Sequence, residues 1–145
     1  MELWFTEENT DNIRFSIKAD KQLYSGQSRF QRIDVFETVE VGRLLVIDGW
    51  IMLTEKDEFV YHEMIAHVPM AVHPGVKRVL VVGGGDGGAV RELCRYDTIE
   101  QIDLVEIDEM VVAVCRREVP QLRALADRRM VACHRADDVP LEEAA

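Results

Sequence analysis

The chain predicts an α/β architecture in two unequal parts: a small N-terminal antiparallel β subdomain, then the start of a parallel sheet wound with helices. Three observations carry this. Residues 1–54 read as β structure, with two runs that alternate apolar and polar at the period of half-buried strands and no helical pattern. The run Val79-Leu80-Val81-Val82 feeds Gly83-Gly84-Gly85-Asp86-Gly87-Gly88, and the helix-like Ala89-Val90-Arg91-Glu92-Leu93 follows. Around that loop, strand and helix patterns alternate as β-α-β-α-β, the order of parallel strands joined by right-handed crossovers.

In the first part, Ile13 to Lys18 alternates cleanly, and Ile33 to Val41 does so with one slip at Val35-Phe36, the kind of slip a bulge makes. Gly42-Arg43 turns the chain into Leu44–Ile47, and Asp48-Gly49 turns it into Trp50–Leu53. The period changes at Thr54. Thr54 or Asp57 can cap a helix over 54–72, which Pro69 ends or bends and His73-Pro74-Gly75 closes. The predicted units are therefore a β subdomain at 1–54, a linking helix and turn at 55–75, and a nucleoside-binding unit at 76–145. In that last unit a helix is expected at 87–96, a strand at 99–108, a helix at 110–119 and a weaker strand at 129–134. Doubly wound sheets have roughly five to seven strands, so this is expected to be the first half of a Rossmann-like, methyltransferase-type domain, incomplete as it stands.

Composition narrows the ligand classes. A net charge of −10 over 145 residues disfavours nucleic acid and anionic membranes and makes cationic small molecules plausible. No run is long enough to span a membrane and the start Met1-Glu2-Leu3-Trp4 is unlike a targeting peptide, so a cytoplasmic protein is expected. Cys94, Cys115 and Cys133 lack zinc or disulfide-framework spacing and read as reduced thiols. His62 and His67 are five apart, off the i, i+4 spacing of a metal pair.

Gly83-x-Gly85-x-x-Gly88 fits a dinucleotide fingerprint, yet Asp86 puts a negative charge where a pyrophosphate would sit. Like charges at about 4 Å repel by roughly 1 kcal/mol in water and several times that at a protein surface. Unless Asp86 only caps the helix, phosphates and carboxylates are disfavoured, and a sulfonium or an ammonium is favoured. Glu106, 18 residues past Gly88, ends a strand where an acid can take ribose hydroxyls. Asp57, Tyr61 and Met64 share one helical face, with Glu58 and His62 on the next. An aromatic beside an acid can hold an alkyl diamine. By themselves, Tyr61 reads as interdomain core and His62 as a satisfied polar residue.

Thr54-Glu55-Lys56-Asp57-Glu58-Phe59-Val60-Tyr61-His62-Glu63-Met64-Ile65-Ala66-His67-Val68-Pro69, the loop Val82 to Gly88 and Val105-Glu106-Ile107-Asp108 together resemble the polyamine aminopropyltransferases, with the spermidine synthases the nearest type. The likeness covers roughly residues 1–125. It implies transfer of the aminopropyl group of decarboxylated S-adenosylmethionine to putrescine, giving spermidine and methylthioadenosine. Decarboxylated S-adenosylmethionine is then a co-substrate, with no metal and no other cofactor. Carried over by motif, Gln31 contacts the nucleoside donor, Tyr61 packs the aminopropyl or diamine chain, His62 and Asp86 contact the polyamine, and Glu106 takes the ribose hydroxyls. Asp138 sits by the adenine, and Gly83, Gly84, Gly85 and Gly87 form the loop. The family's dimers and tetramers imply self-association of the full-length enzyme.

Two departures qualify the likeness. Val139 stands where the family's Asp-Asp-Gly has glycine, which leaves Asp138 the least secure position. The family's catalytic base lies in a later Asp-(Ser/Cys)-Thr-(Asp/Glu)-Pro segment, expected beyond Ala145, so no catalytic residue is assigned. An amine with a pKa of about 10 needs an acceptor to become a nucleophile, so the 145-residue chain is expected to turn over poorly. The alternatives are an S-adenosylmethionine-dependent methyltransferase, which shares the glycine loop, and a truncated, non-catalytic binding homologue. A nicotinamide dehydrogenase is disfavoured by Asp86.

Overall fold

The computed structural model describes residues 2–119 and 131–133. Strands β1 (Leu3–Thr10) and β2 (Ile13–Ala19) form an antiparallel hairpin. Strands β3 (Lys21–Gln27), β4 (Arg32–Thr38), β5 (Gly42–Ile47) and β6 (Trp50–Thr54) make a four-stranded antiparallel meander. Helix α1 (Glu58–Val72) leads to β7 (Arg78–Val82), α2 (Gly88–Leu93), β8 (Gln101–Val105), α3 (Glu109–Glu118) and β9 (Val131–Cys133). The last three strands are parallel in the order β7-β8-β9, so an antiparallel β part precedes a Rossmann-like β-α-β-α-β start as expected.

Two strands escape the alternation argument. β1 and β3 carry few apolar residues and their exposed faces blur the period. The slip at Val35-Phe36 has its cause across the sheet. The register shift lies on β3 between Gln22 and Tyr24, opposite Phe36 and Val35. Strand β4 stops at Thr38 rather than Val41, because Thr38 Oγ1 donates to the Gly42 carbonyl and accepts from the Val41 amide, closing the turn. At Asp48-Gly49 both residues take positive φ (50° and 84°), the left-handed pair that matches hairpin twist.

The meander is buried on both faces, which is why Leu44, Leu45 and Val46 are all buried in succession. Phe36, Leu44 and Val46 pack against Ile17 and Ala19 of the hairpin. Ile33, Val35, Leu45 and Leu53 pack the other way, against Val111, Val114, Cys115 and Val119. Burying aliphatic side chains of this size contributes about 1.5–3 kcal/mol each, so α3 is fastened to the β part by its core. A second core joins Ala66 and Met70 of α1, Val90 and Leu93 of α2, and Ile102 and Leu104 of β8.

Helix α1 begins later than the predicted Thr54. Asp57 occupies the N-cap position, but its carboxylate accepts from Thr54 Oγ1 instead of a helix amide. Nor does Pro69 end the helix: α1 continues to Val72, and the His73 amide donates to the Pro69 carbonyl to close the final turn. The helix after the glycine loop spans 88–93 rather than 87–96, and the next strand spans 101–105 rather than 99–108.

Candidate active site

The glycine loop leaves β7 through residues that only glycine adopts readily. Gly83, Gly84 and Gly87 have φ of 77°, 72° and 85°. The Gly83 amide donates to the Val105 carbonyl at 2.8 Å, tying the loop to the end of β8. Gly85 serves a different need, because a Cβ there would come within 2.9 Å of Glu106 Oε2. With no Cβ in the way, the Gly85 amide donates to that oxygen at 3.0 Å. Glu106, the first residue after β8, also accepts from the Asp108 amide through Oε1.

Asp86 both steadies the start of α2 and faces His62. Its Oδ1 accepts from the Gly88 amide at 2.7 Å and lies 3.1 Å from Nε2 of His62. The side chain remains 21% exposed, whereas the His62 ring is almost fully buried. On its other side, His62 Nδ1 lies 2.5 Å from Glu58 Oε2, one helical turn back. Burial by itself would lower the His62 pKa, but hydrogen bonds to Asp86 and Glu58, with their charges, outweigh it and raise it. Burial likewise pushes the Asp86 carboxyl up, and the His62 and Gly88 hydrogen bonds bring it below its ordinary value.

Tyr61 is 64% exposed and stands edge-on to His62, with ring centres 5.4 Å apart. It lines a cleft of about 430 Å³ with Met52, Asp57, Val60, His62 and Met64. The cleft is apolar with acids at one wall, and His62 joins it to Asp86. The exposure of Tyr61 removes the reading of it as interdomain core. His62 is satisfied on both nitrogens, as a structural histidine would be, but its partners are two carboxylates.

Gln31 lies on the loop before β4 and donates from Nε2 to Asp108 Oδ2 at 3.0 Å. Ser28 Oγ donates to the same oxygen at 2.7 Å, and Asp108 Oδ1 caps α3 by accepting from the Met110 amide. The structure therefore brings Gln31 and Glu106 together through Asp108, and Tyr61, His62 and Asp86 together around the cleft; the glycine loop connects the two groups. Asp138 and Ala145 both lie outside the described residues. Neither the adenine-side acid nor the chain leading to the expected base segment beyond Ala145 is therefore described, and no catalytic base is assigned.

Sequence reasoning assigned no role to Asp108 or to Arg91. Asp108 could have been found as an N-cap before a helical run. Arg91 had no local signal, since its partner Glu58 lies 33 positions away. One further cluster invites a metal reading, because Glu63, His67 and Glu92 bring ligand atoms within 4.8 Å of one another. Glu92, however, already takes Arg91 Nε at 2.8 Å and Arg95 Nη1 at 2.6 Å. With two guanidiniums on one carboxylate, the cluster is an ion-pair network between α1 and α2.

A three-stranded parallel start, a glycine loop and an acid after the second strand define a Rossmann-like α/β protein. Residues 58–140 match the spermine/spermidine synthase domain, and residues 3–55 match the spermidine synthase tetramerisation domain. The chain belongs to the spermine/spermidine synthase family. It is 66% identical over 121 residues to a polyamine aminopropyltransferase of Clostridium perfringens, covering 83% of this chain and 43% of that protein. Against the polyamine aminopropyltransferase of Lachnoclostridium phytofermentans it is 58% identical over 134 residues, or 92% and 47% of the two chains. A crystal structure of spermidine synthase from Thermotoga maritima superposes with a TM-score of 0.86 at 44% identity, covering 90% of this chain and 46% of that one. Another spermidine synthase, solved with the transition-state analogue AdoDATO, gives the same TM-score and identity. The chain thus spans less than half the length of the relatives it matches.

Proposed function

We propose that this chain carries the donor- and amine-binding part of a spermidine synthase, transferring an aminopropyl group from decarboxylated S-adenosylmethionine to putrescine. The observation that carries the proposal is Asp86: an acid in the glycine loop, facing His62 beside an apolar cleft lined by Tyr61. In the reaction a neutral amine attacks the carbon next to the sulfonium. The new C–N bond forms as the C–S bond breaks, methylthioadenosine leaves uncharged, and the amine's surplus proton passes to a base. No Lewis acid is required in this scheme, and decarboxylated S-adenosylmethionine acts as co-substrate.

Gln31 and Glu106 are assigned to the nucleoside, Glu106 to the ribose hydroxyls. Tyr61 is assigned to the alkyl chain, and His62 and Asp86 to the amine. Asp138 is assigned to the adenine on sequence likeness alone. Assembly as a dimer or tetramer is proposed from the tetramerisation-domain match at residues 3–55. The cytoplasm, where the buried Cys115 thiol would stay reduced, is the expected compartment. Among the described residues, no helix is long and apolar enough to cross a membrane.

Calorimetry tests the donor. Asp86 opposes a carboxylate, so decarboxylated S-adenosylmethionine is expected to bind at least about tenfold more tightly than S-adenosylmethionine. Equal affinity, or a preference for S-adenosylmethionine, would replace this proposal with a methyltransferase. Spermidine production by the 145-residue chain, followed by chromatography, is expected to be slow because no Asp-(Ser/Cys)-Thr-(Asp/Glu)-Pro base segment occurs in its sequence.

A further inference from the structure

The polar groups around His62 reach beyond those that face the cleft. Arg91 of α2 forks onto Glu58 of α1, with Nη1 2.8 Å from Oε1 and Nη2 2.9 Å from Oε2. Glu58 Oε2 also lies 2.5 Å from His62 Nδ1, and His62 Nε2 lies 3.1 Å from Asp86 Oδ1. Glu58 and Arg91 are 9% and 12% exposed at their side chains, so little water competes. A carboxylate has no proton to give, so a ring flanked by one at each nitrogen is favoured in its doubly protonated, positively charged form.

We propose that Glu58 and Arg91 are positioning residues that act through His62, holding it charged against Asp86 until a cationic amine takes its place. This rests on the cleft accepting a diamine, as proposed above. The bidentate fork fixes the Glu58 carboxylate in one orientation, and Glu58 in turn fixes the ring. The ring is confined from the loop side as well, since even a Cβ at Gly88 would fall 2.2 Å from His62 Cε1. The charged groups facing the ring are Glu58 from α1, Asp86 from the loop and, through Glu58, Arg91 from α2. Tyr61 adds only an aromatic edge.

His62 and Arg91 balance Asp86 and Glu58, and Glu92, which also takes Arg91 Nε, is balanced by Arg95, so the cluster is neutral. An ammonium arriving at Asp86 meets the imidazolium at close range, a like-charge contact in a poorly hydrated site. Release of the Nε2 proton to solvent removes the repulsion, frees Asp86 to accept from the ammonium and turns Nε2 into a second acceptor. The site then exchanges one proton for one ammonium and stays neutral. Glu58 and Arg91 set the pH at which that exchange takes place.

The test uses the 145-residue chain with methylthioadenosine present. Putrescine is titrated calorimetrically in two buffers of different ionisation enthalpy, and the His62 ring is titrated by NMR in the free protein. Expected are release approaching one proton per putrescine at pH values below the His62 titration midpoint, and affinity rising about tenfold per pH unit until His62 has titrated. Glu58→Gln should move the His62 titration down, move the range of proton release down with it and strengthen putrescine binding in mild acid. Arg91→Gln should move the titration up, shifting the onset of binding to higher pH. A purely structural role would weaken binding at every pH and leave the proton count unchanged.

Zero proton release by the unaltered protein where His62 is charged would overturn the proposal. So would a His62 titration that neither substitution moves. The wild-type count needs no variant, so the decision stands even if a variant fails to fold. Absence of putrescine binding at every pH would instead overturn the diamine assignment, and the NMR titrations would then judge the Arg91–Glu58–His62 relay by themselves.

Discussion

A Cβ placed on Gly88 would lie 2.2 Å from Cε1 and 2.3 Å from Nδ1 of His62. The ring cannot retreat, because both its nitrogens are held by carboxylates. Gly88→Ala is therefore expected to destabilise by about 1–3 kcal/mol through overpacking, read as a lower urea midpoint at unchanged slope. The His62–Asp86 pair also gives stability a definite pH profile. The raised His62 pKa contributes fully below the ordinary value of 6.5 and loses its contribution as pH rises through the folded-state value. The lowered Asp86 pKa contributes fully above 3.8 and loses its contribution as pH falls through its folded-state value. The pair's stabilisation is thus complete between 3.8 and 6.5 and declines on the alkaline side. Urea midpoints across pH should show that alkaline decline in the natural sequence and a flatter limb in His62→Asn.

Helix α3 shows how one side chain organises an element. Asp108 is 1% exposed; it caps α3 and receives Ser28 and Gln31 from a loop 80 and 77 positions earlier. Asp108→Ala would uncap the helix and deprive the half-buried Ser28 hydroxyl and Gln31 amide of this shared acceptor. A loss of roughly 2–4 kcal/mol is expected in equilibrium unfolding, together with weaker donor binding as Gln31 comes loose. On the same helix, burial, followed by the charges of Asp86 and Glu106, pushes the Cys115 thiol up to about 12. A thiol held protonated is a poor nucleophile. Mass spectrometry after alkylation should find Cys115 unlabelled in the native protein and labelled in urea.

Among the described residues, large apolar side chains are exposed on the hairpin, along α1 from Phe59 to Val72 and on the parallel sheet. The inner face of the hairpin packs Phe5 against Phe36, ring centres 5.5 Å apart, but its far end leaves Ile13 and Phe15 more than half exposed. That overhang suits association with other copies, in keeping with the tetramerisation-domain match. Ile13→Lys with Phe15→Glu should shift sedimentation velocity toward smaller species while leaving the His62 NMR signals unchanged. On the outer face of the parallel sheet, Leu80 and Val82 are 63% and 79% exposed beside Val105 and Ile107. The inner positions of β7, Val79 and Val81, pack beneath α1 and α2.

Much of this was legible in the sequence because it depends on neighbours along the chain. Period-two alternation marked β2 and β4, the turns at Gly42-Arg43 and Asp48-Gly49 marked β5 and β6, and the run into Gly83–Gly88 marked the strand–loop–helix that carries Asp86. Glu58 and His62 could be placed one turn apart from spacing alone. The chain could not show that β1 and β3 exist, because their stability comes from partners across the sheet rather than from their own pattern. Nor could it decide whether Pro69 ends α1 or is carried within it, since the helix's inner face is held by contacts with α2 and β8. Whether Asp86 capped a helix or faced a ligand was undecidable from its position, and the fold gives it both His62 and the Gly88 amide. Local order follows from propensity and period, which a sequence displays. The charge state of His62 follows from Glu58, Asp86 and Arg91 meeting across three elements, and only tertiary packing brings those charges within a few ångströms and removes the water between them.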